Sequence, residues 1–92
     1  MKKRSEEIEN FIMKHKVLFW SMKDEDKLNI SDSLLVETII IYGEIEDIKE
    51  MFMLFGIKNV AKIFYKQISQ YRCNYDAATI NFFDLYFKRY AQ

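Results

Sequence analysis

The sequence predicts an all-α fold, a compact bundle of about five short helices around a central apolar helix, and three observations carry that prediction. Proline is absent and glycine occurs only at Gly43 and Gly56 in 92 residues, so the chain holds few of the residues that break helices. Half of the residues are hydrophobic and 16% are aromatic, which supplies a dense core without staples. Apolar residues recur three and four apart over most of the chain, the spacing of one helix face. A length of 92 residues fits one domain, 1–92, and neither a linker nor an internal repeat divides it.

The first helix is expected from Ser5 to about His15. Ser5 serves as N-cap, Glu6 and Glu7 suit the positive first turn, and Lys14 and Lys16 suit the negative end. Ile8, Phe11, Ile12 and His15 share a face. No partner for His15 is visible nearby in the sequence, so it reads as a surface or helix-end histidine. Val17, Leu18, Phe19 and Trp20 leave this helix together and are expected to plug the core. The run Ser21 to Lys27 reads as a solvated loop or a single turn, and Leu28 and Ile30 lead back into the domain.

The stretch from Ser33 to Gly43 is apolar on nearly every side, with only Glu37 and Thr38 as polar interruptions. Such a helix is normally buried all round, which makes it the expected centre of the bundle. Its β-branched residues would also suit a buried strand, but no second strong strand stands ready to pair with it. Ser31, Asp32 and Ser33 offer N-caps, and Gly43 supplies a stop.

The third helix is expected over Glu44 to Phe55, with Ile45, Ile48, Met51, Phe52 and Phe55 as its apolar stripe and Gly56 as its end. Met53 and Leu54 fall off that stripe, and Met53 is a candidate partner contact. The fourth runs from Ile57 or Lys58 to about Gln70 and buries Ile57, Val60, Ala61, Ile63, Phe64 and Ile68. Lys58, Lys62 and Lys66 follow one another at intervals of four on its other face, with Tyr65 alongside. After a loop over Tyr71 to Tyr75, Asp76 caps a final helix to about Tyr90. Ile80, Phe83, Tyr86, Phe87 and Tyr90 form its main apolar face; Ala78, Phe82 and Leu85 form a smaller one. Two apolar faces on a last helix leave two readings open, a groove between neighbours or a face turned to another molecule.

Net charge is zero but segregated. Residues 1–27 hold seven basic and six acidic side chains, 28–56 one and six, and 57–92 six and two. The neutral total argues against broad affinity for nucleic acid, while the segregation can steer a partner. Cys73 is the single cysteine, so no internal disulfide forms and a reducing compartment is expected. Met1-Lys2-Lys3-Arg4 is followed by Ser5-Glu6-Glu7-Ile8-Glu9-Asn10 rather than an apolar run, and no apolar run approaches the roughly 20 residues that span a bilayer. A cytoplasmic protein without membrane contact is expected.

No motif for a catalytic nucleophile, a zinc site or a phosphate loop is present. Asp24, Glu25 and Asp26 lack the alternating ligands, central glycine and closing glutamate of a calcium loop. Glu37 is the one carboxylate whose apolar setting would suit catalysis; the simpler reading has it facing water or pairing with a lysine. No catalytic residue, metal or cofactor is therefore expected.

Leu18-Phe19-Trp20, the acidic segment with Leu28, Tyr42-Gly43-Glu44-Ile45-Glu46-Asp47, Phe55-Gly56 and Thr79-Ile80-Asn81-Phe82-Phe83 together resemble a group of short prokaryotic proteins of unknown function. Those commonly carry Phe-Trp-Asp, Tyr-Gly-Asp-x-x-Asp and Ser-x-x-Thr-x-Asn-Phe. This chain departs from the pattern at Ser21, Thr38 and Asp76, where relatives often have aspartate, arginine and serine. The group looks like the small partners of nucleotidyltransferase-type toxins, so the resemblance implies an antitoxin-like role. The sequence thus predicts an interaction module whose protein partner contacts Met53, Phe82 and Leu85. The alternatives are a nucleic-acid-binding domain built on Lys58, Lys62, Lys66 and Tyr65, and a homo-oligomer.

Overall fold

The structure, a computed structural model, describes residues 6–19, 30–70 and 73–91. Among these, five α-helices and one 3₁₀ segment form and no strand does: α1 (Glu6–Lys14), the 3₁₀ segment (Lys16–Phe19), α2 (Asp32–Tyr42), α3 (Ile45–Phe55), α4 (Ile57–Ile68) and α5 (Ala77–Tyr90). The fold is an all-α bundle. The expected Ser5 cap, Trp20, the loop over Ser21 to Lys27 with its acidic triplet, and Leu28 lie outside the described residues.

Side chains fix the starts of three helices. Ser31 Oγ accepts from the Leu34 N–H at 3.1 Å to start α2, and Asp76 Oδ1 accepts from the Thr79 N–H at 2.7 Å to start α5. Asp47 Oδ2 reaches back to the Glu44 N–H at 3.0 Å and starts α3. Gly43 ends α2 in ordinary extended backbone, with φ −79°, so a left-handed cap is not the reason for glycine there. A Cβ at that position would come within 2.6 Å of the Ile39 carbonyl oxygen, and only glycine fits. Gly56, at φ +86°, does occupy glycine's region.

The centre of the bundle is shared between two helices. α4 packs against α2, α3 and α5, and its Val60 and Phe64 are wholly buried with Leu35, Val36 and Ile39 of α2 and Met51 of α3. Phe64 is the hub of an aromatic cluster, with ring centroids 5.1 Å from Tyr75, 5.9 Å from Phe83 and 5.4 Å from Phe87. Burying each such ring stabilises the fold by about 1.5–3 kcal/mol.

Several expectations are corrected here. α2 is not buried all round, because Leu34, Ile41 and Tyr42 are exposed; among the described elements it packs chiefly on α3, α4 and the 3₁₀ segment. Among the described residues of the apolar run after α1, Phe19 is fully buried, while Leu18 is half-buried and Val17 stands in solvent, since a 3₁₀ segment fans consecutive side chains about its axis. Ile45 and Tyr90, at the ends of their helices, are exposed. Gln67, a polar residue on the inner face of α4, is buried.

Candidate functional site

α5 presents two unlike faces. Phe83 and Phe87 point into the core, whereas on the outer side Phe82 is 50% exposed and Leu85 60% exposed, with Ala78 and Arg89 exposed on the same line. Phe82 is held from beside, stacked on Tyr86 at 6.2 Å and edge-on to Phe83 at 5.0 Å. The smaller apolar face of the last helix is thus turned to solvent and kept rigid by rings behind it. Phe52 packs against Tyr86 and Phe87 at 5.5 and 5.6 Å, which sets the end of α3 beside α5. Met53 follows Phe52 and is 86% exposed.

Lys58, Lys62 and Lys66 all lie exposed on α4, and no carboxylate among the described residues pairs with them. Tyr65 is not available to that stripe. Its hydroxyl donates to Asp84 Oδ1 at 2.7 Å, and Asp84 Oδ2 accepts from Lys88 Nζ at 3.0 Å. Burial, then the hydrogen bond to Asp84 and its charge, push the Tyr65 phenol up to about 12. Hydrogen bonding from Tyr65 first and from Lys88 second holds the Asp84 carboxyl below the usual carboxylate range. Tyr65 therefore ties α4 to α5.

His15 stands directly after the end of α1, one of the two places expected of it, but it is not on the surface. The ring is buried, 8% exposed, and both nitrogens are engaged: Nε2 lies 2.8 Å from Asp47 Oδ1, and Nδ1 lies 2.9 Å from the Phe11 carbonyl oxygen. Asp47 thus serves two ends, one oxygen capping α3 and the other holding the last residue before the 3₁₀ segment. Hydrogen bonding from the Glu44 N–H first and from His15 second lowers its pKa. Lys14 Nζ to Glu50 Oε1, at 3.1 Å, adds an exposed pair across the same two helices. With neither ring nitrogen open, His15 in this arrangement fastens α1 to α3 rather than presenting a base or a ligand.

A neutral network joins α2 to α4. Gln67 Nε2 donates to the Ser33 carbonyl at 2.7 Å and to Ser33 Oγ at 2.8 Å, while its Oε1 accepts from the Tyr75 hydroxyl. Burial, and after it the negative charges of Glu37 and Cys73, raise the pKa of Tyr75. Glu37 is half-buried, and its Oε1 accepts from Asn74 Nδ2 at 3.1 Å, so its partner is an amide on the loop before α5.

Sequence reasoning missed Gln67 and the His15–Asp47 pair. Position could have found Gln67, which stands three residues after Phe64 on the buried side. Nothing local marks His15, whose carboxylate lies 32 positions away. Among the described residues no cluster of three or more His, Cys, Asp or Glu side chains is arranged to hold a metal ion, and no helix is long and apolar enough to cross a membrane. Comparison with protein-family models, with curated proteins and with solved structures returns no match.

Proposed function

We propose that this chain is a small cytoplasmic interaction module that binds a larger protein and, as the resemblance of its motifs implies, neutralises it in the manner of an antitoxin. The carrying observation is the outer face of α5, where Phe82 and Leu85 stand in solvent, Phe82 packed against the rings of Phe83 and Tyr86, with Met53 exposed on the neighbouring helix. Preorganised apolar side chains lose little entropy on binding, which is what an anchor residue needs. The reading assigns the chain no reaction and no cofactor.

The test compares pull-downs from native host lysate with the wild-type chain and with Phe82→Ala and Leu85→Ala. The expected result is one stoichiometric protein that survives nuclease, is retained by the wild type and is weakened in both variants, while both variants melt within a few degrees of the wild type. Equal retention by all three chains, or collapse of folding in both variants, would overturn the assignment.

The unpaired lysines of α4 favour a second reading, nucleic-acid binding, reduced by the loss of Tyr65 to Asp84. It requires nucleic acid in the recovered material, released as salt rises, because each neutralised phosphate releases counterions.

A further inference from the structure

α4 carries Lys58, Lys62 and Lys66 and no acidic residue. At 100° and about 1.5 Å per residue, the three lie within about 80° of one another along about 12 Å of the axis, roughly opposite the buried Val60, Phe64 and Gln67, and all are exposed. The row works against the helix that bears it. Lys58 sits in the first turn, where the helix dipole repels a cation, and each step of four sets like charges together. The other four helices open with a carboxylate in the first turn or at the cap, whereas α4 opens on Gly56 with no capping side chain. No carboxylate among the described residues offsets these charges; Asp84, across the contact with α5, is taken by Tyr65 and Lys88. A charge arrangement that costs stability and packs nothing marks a surface kept for a ligand.

Such a row suits an anion that repeats. Successive lysines are about 6 Å apart along the axis, close to the spacing of neighbouring phosphates on one nucleic-acid strand, and an ammonium meets phosphate as a point charge with no forked geometry to satisfy. Nothing on α4 beside the row reads a base. The helix holds no arginine, and Tyr65 has its hydroxyl on Asp84 and its ring against Phe64 and Phe87. We infer that the lysine row of α4 binds consecutive phosphates along one nucleic-acid strand, one to each lysine, without regard to sequence. This rests on the reading of α4 as a nucleic-acid face and adds which groups are contacted and which are not read. With three phosphate contacts the binding is weak and confined to low salt.

Fluorescence anisotropy of labelled strands of about 20 nucleotides, homothymidine and mixed-sequence, the latter both single and in duplex, reads binding of the purified full chain from about 25 to 150 mM salt. Affinities within about threefold for the two sequences are expected, with a log–log salt slope of about −2 on single strands and about −3 on the duplex. Lys62→Gln weakens binding at least about threefold and makes the slope shallower by about one, while Lys14→Gln, the same charge change on α1, stays within about twofold of wild type. Joint replacement of Lys58, Lys62 and Lys66 by glutamine removes binding, with the circular dichroism spectrum unchanged and Tm at or above wild type. Equal loss in Lys62→Gln and Lys14→Gln, a marked preference for one sequence, or a joint variant that unfolds would overturn the proposal. Binding that persists in the joint variant would sink the row alone and leave the nucleic-acid reading to another surface. No binding of any strand by the wild type would sink both, and lysine-dependent capture of a lysate protein without strand binding would give the row to an acidic partner instead.

Discussion

The α1–α3 corner and the α2–α4 corner each fasten two helices through polar side chains, but one is built on carboxylates and reaches solvent at Lys14 and Glu50 while the other is neutral and buried at Gln67 and Tyr75. At the first, Asp47 holds His15 and caps its own helix, with Lys14 and Glu50 outside. At the second, Gln67 spends its amide on Ser33 and Tyr75 with no charge on any of the three. A neutral buried network gains little when formed but is expensive to leave half made. An ionic contact near water is cheaper to lose and answers to pH and salt.

The largest effect is expected at the neutral corner. Gln67→Leu fills the space but removes both bonds to Ser33 and leaves the buried Tyr75 hydroxyl without its partner, at a cost of about 2–4 kcal/mol in urea unfolding. Adding Tyr75→Phe should recover part of that loss, and additive penalties in the double variant would show that the two side chains do not work as one unit. His15→Ala should cost less, about 1–3 kcal/mol, with hydrogen exchange quickening in α1 well before α4; equal quickening in both helices would erase the distinction between the corners.

Opposite ends of the pH scale sharpen the contrast further. Asp47 titrates below its ordinary 3.8 in the fold, so its contribution is complete above that value and fades as pH falls through the lowered folded pKa. Asp47→Asn should flatten the acid limb of a stability–pH curve. Tyr75 titrates above its ordinary 10.0, so its contribution is complete below pH 10.0 and is lost as pH rises toward the folded pKa. A phenolate absorbance titration should find Tyr75 and Tyr65 ionising above the ordinary 10.0 of a tyrosine. The smallest change is expected from Lys14→Ala, under about 0.5 kcal/mol and less in high salt, since both partners of that pair reach solvent.

Local chemistry made much of the fold legible. Ser31 and Asp76 cap the helices they were expected to cap, Gly43 and Gly56 separate the elements they were expected to separate, and Ile48, Met51 and Phe52 of α3 and Val60, Ala61 and Phe64 of α4 are buried as expected, while Phe55, Ile57, Ile63 and Ile68 are half-buried and Ile45 is exposed. What escaped depends on contacts remote in sequence. His15 reads as an isolated polar group until folding brings Asp47 to it, and Gln67 has no assigned role until Ser33 and Tyr75 meet it. The exposure of Leu34, Ile41 and Tyr42 escaped for a related reason: an apolar sequence sets how much a helix would bury, but only the number of neighbours sets how much it does. For α5 the sequence identified two apolar faces, and the packing of Phe83 and Phe87 decided which of them water keeps.

Between α3 and α4 stands a single residue. The Gly56 N–H closes α3 onto the Phe52 carbonyl, its own carbonyl accepts from Val60 to open α4, and Asn59 Nδ2 reaches back to the Phe55 carbonyl across the joint. The rotational phase of one helix is thereby handed on to the next with no slack. One residue inserted here would turn α4 by about 100° on its axis, carrying Phe64 and Gln67 away from their partners and swinging the lysine row toward the interior. At this joint the count of residues is itself part of the structure.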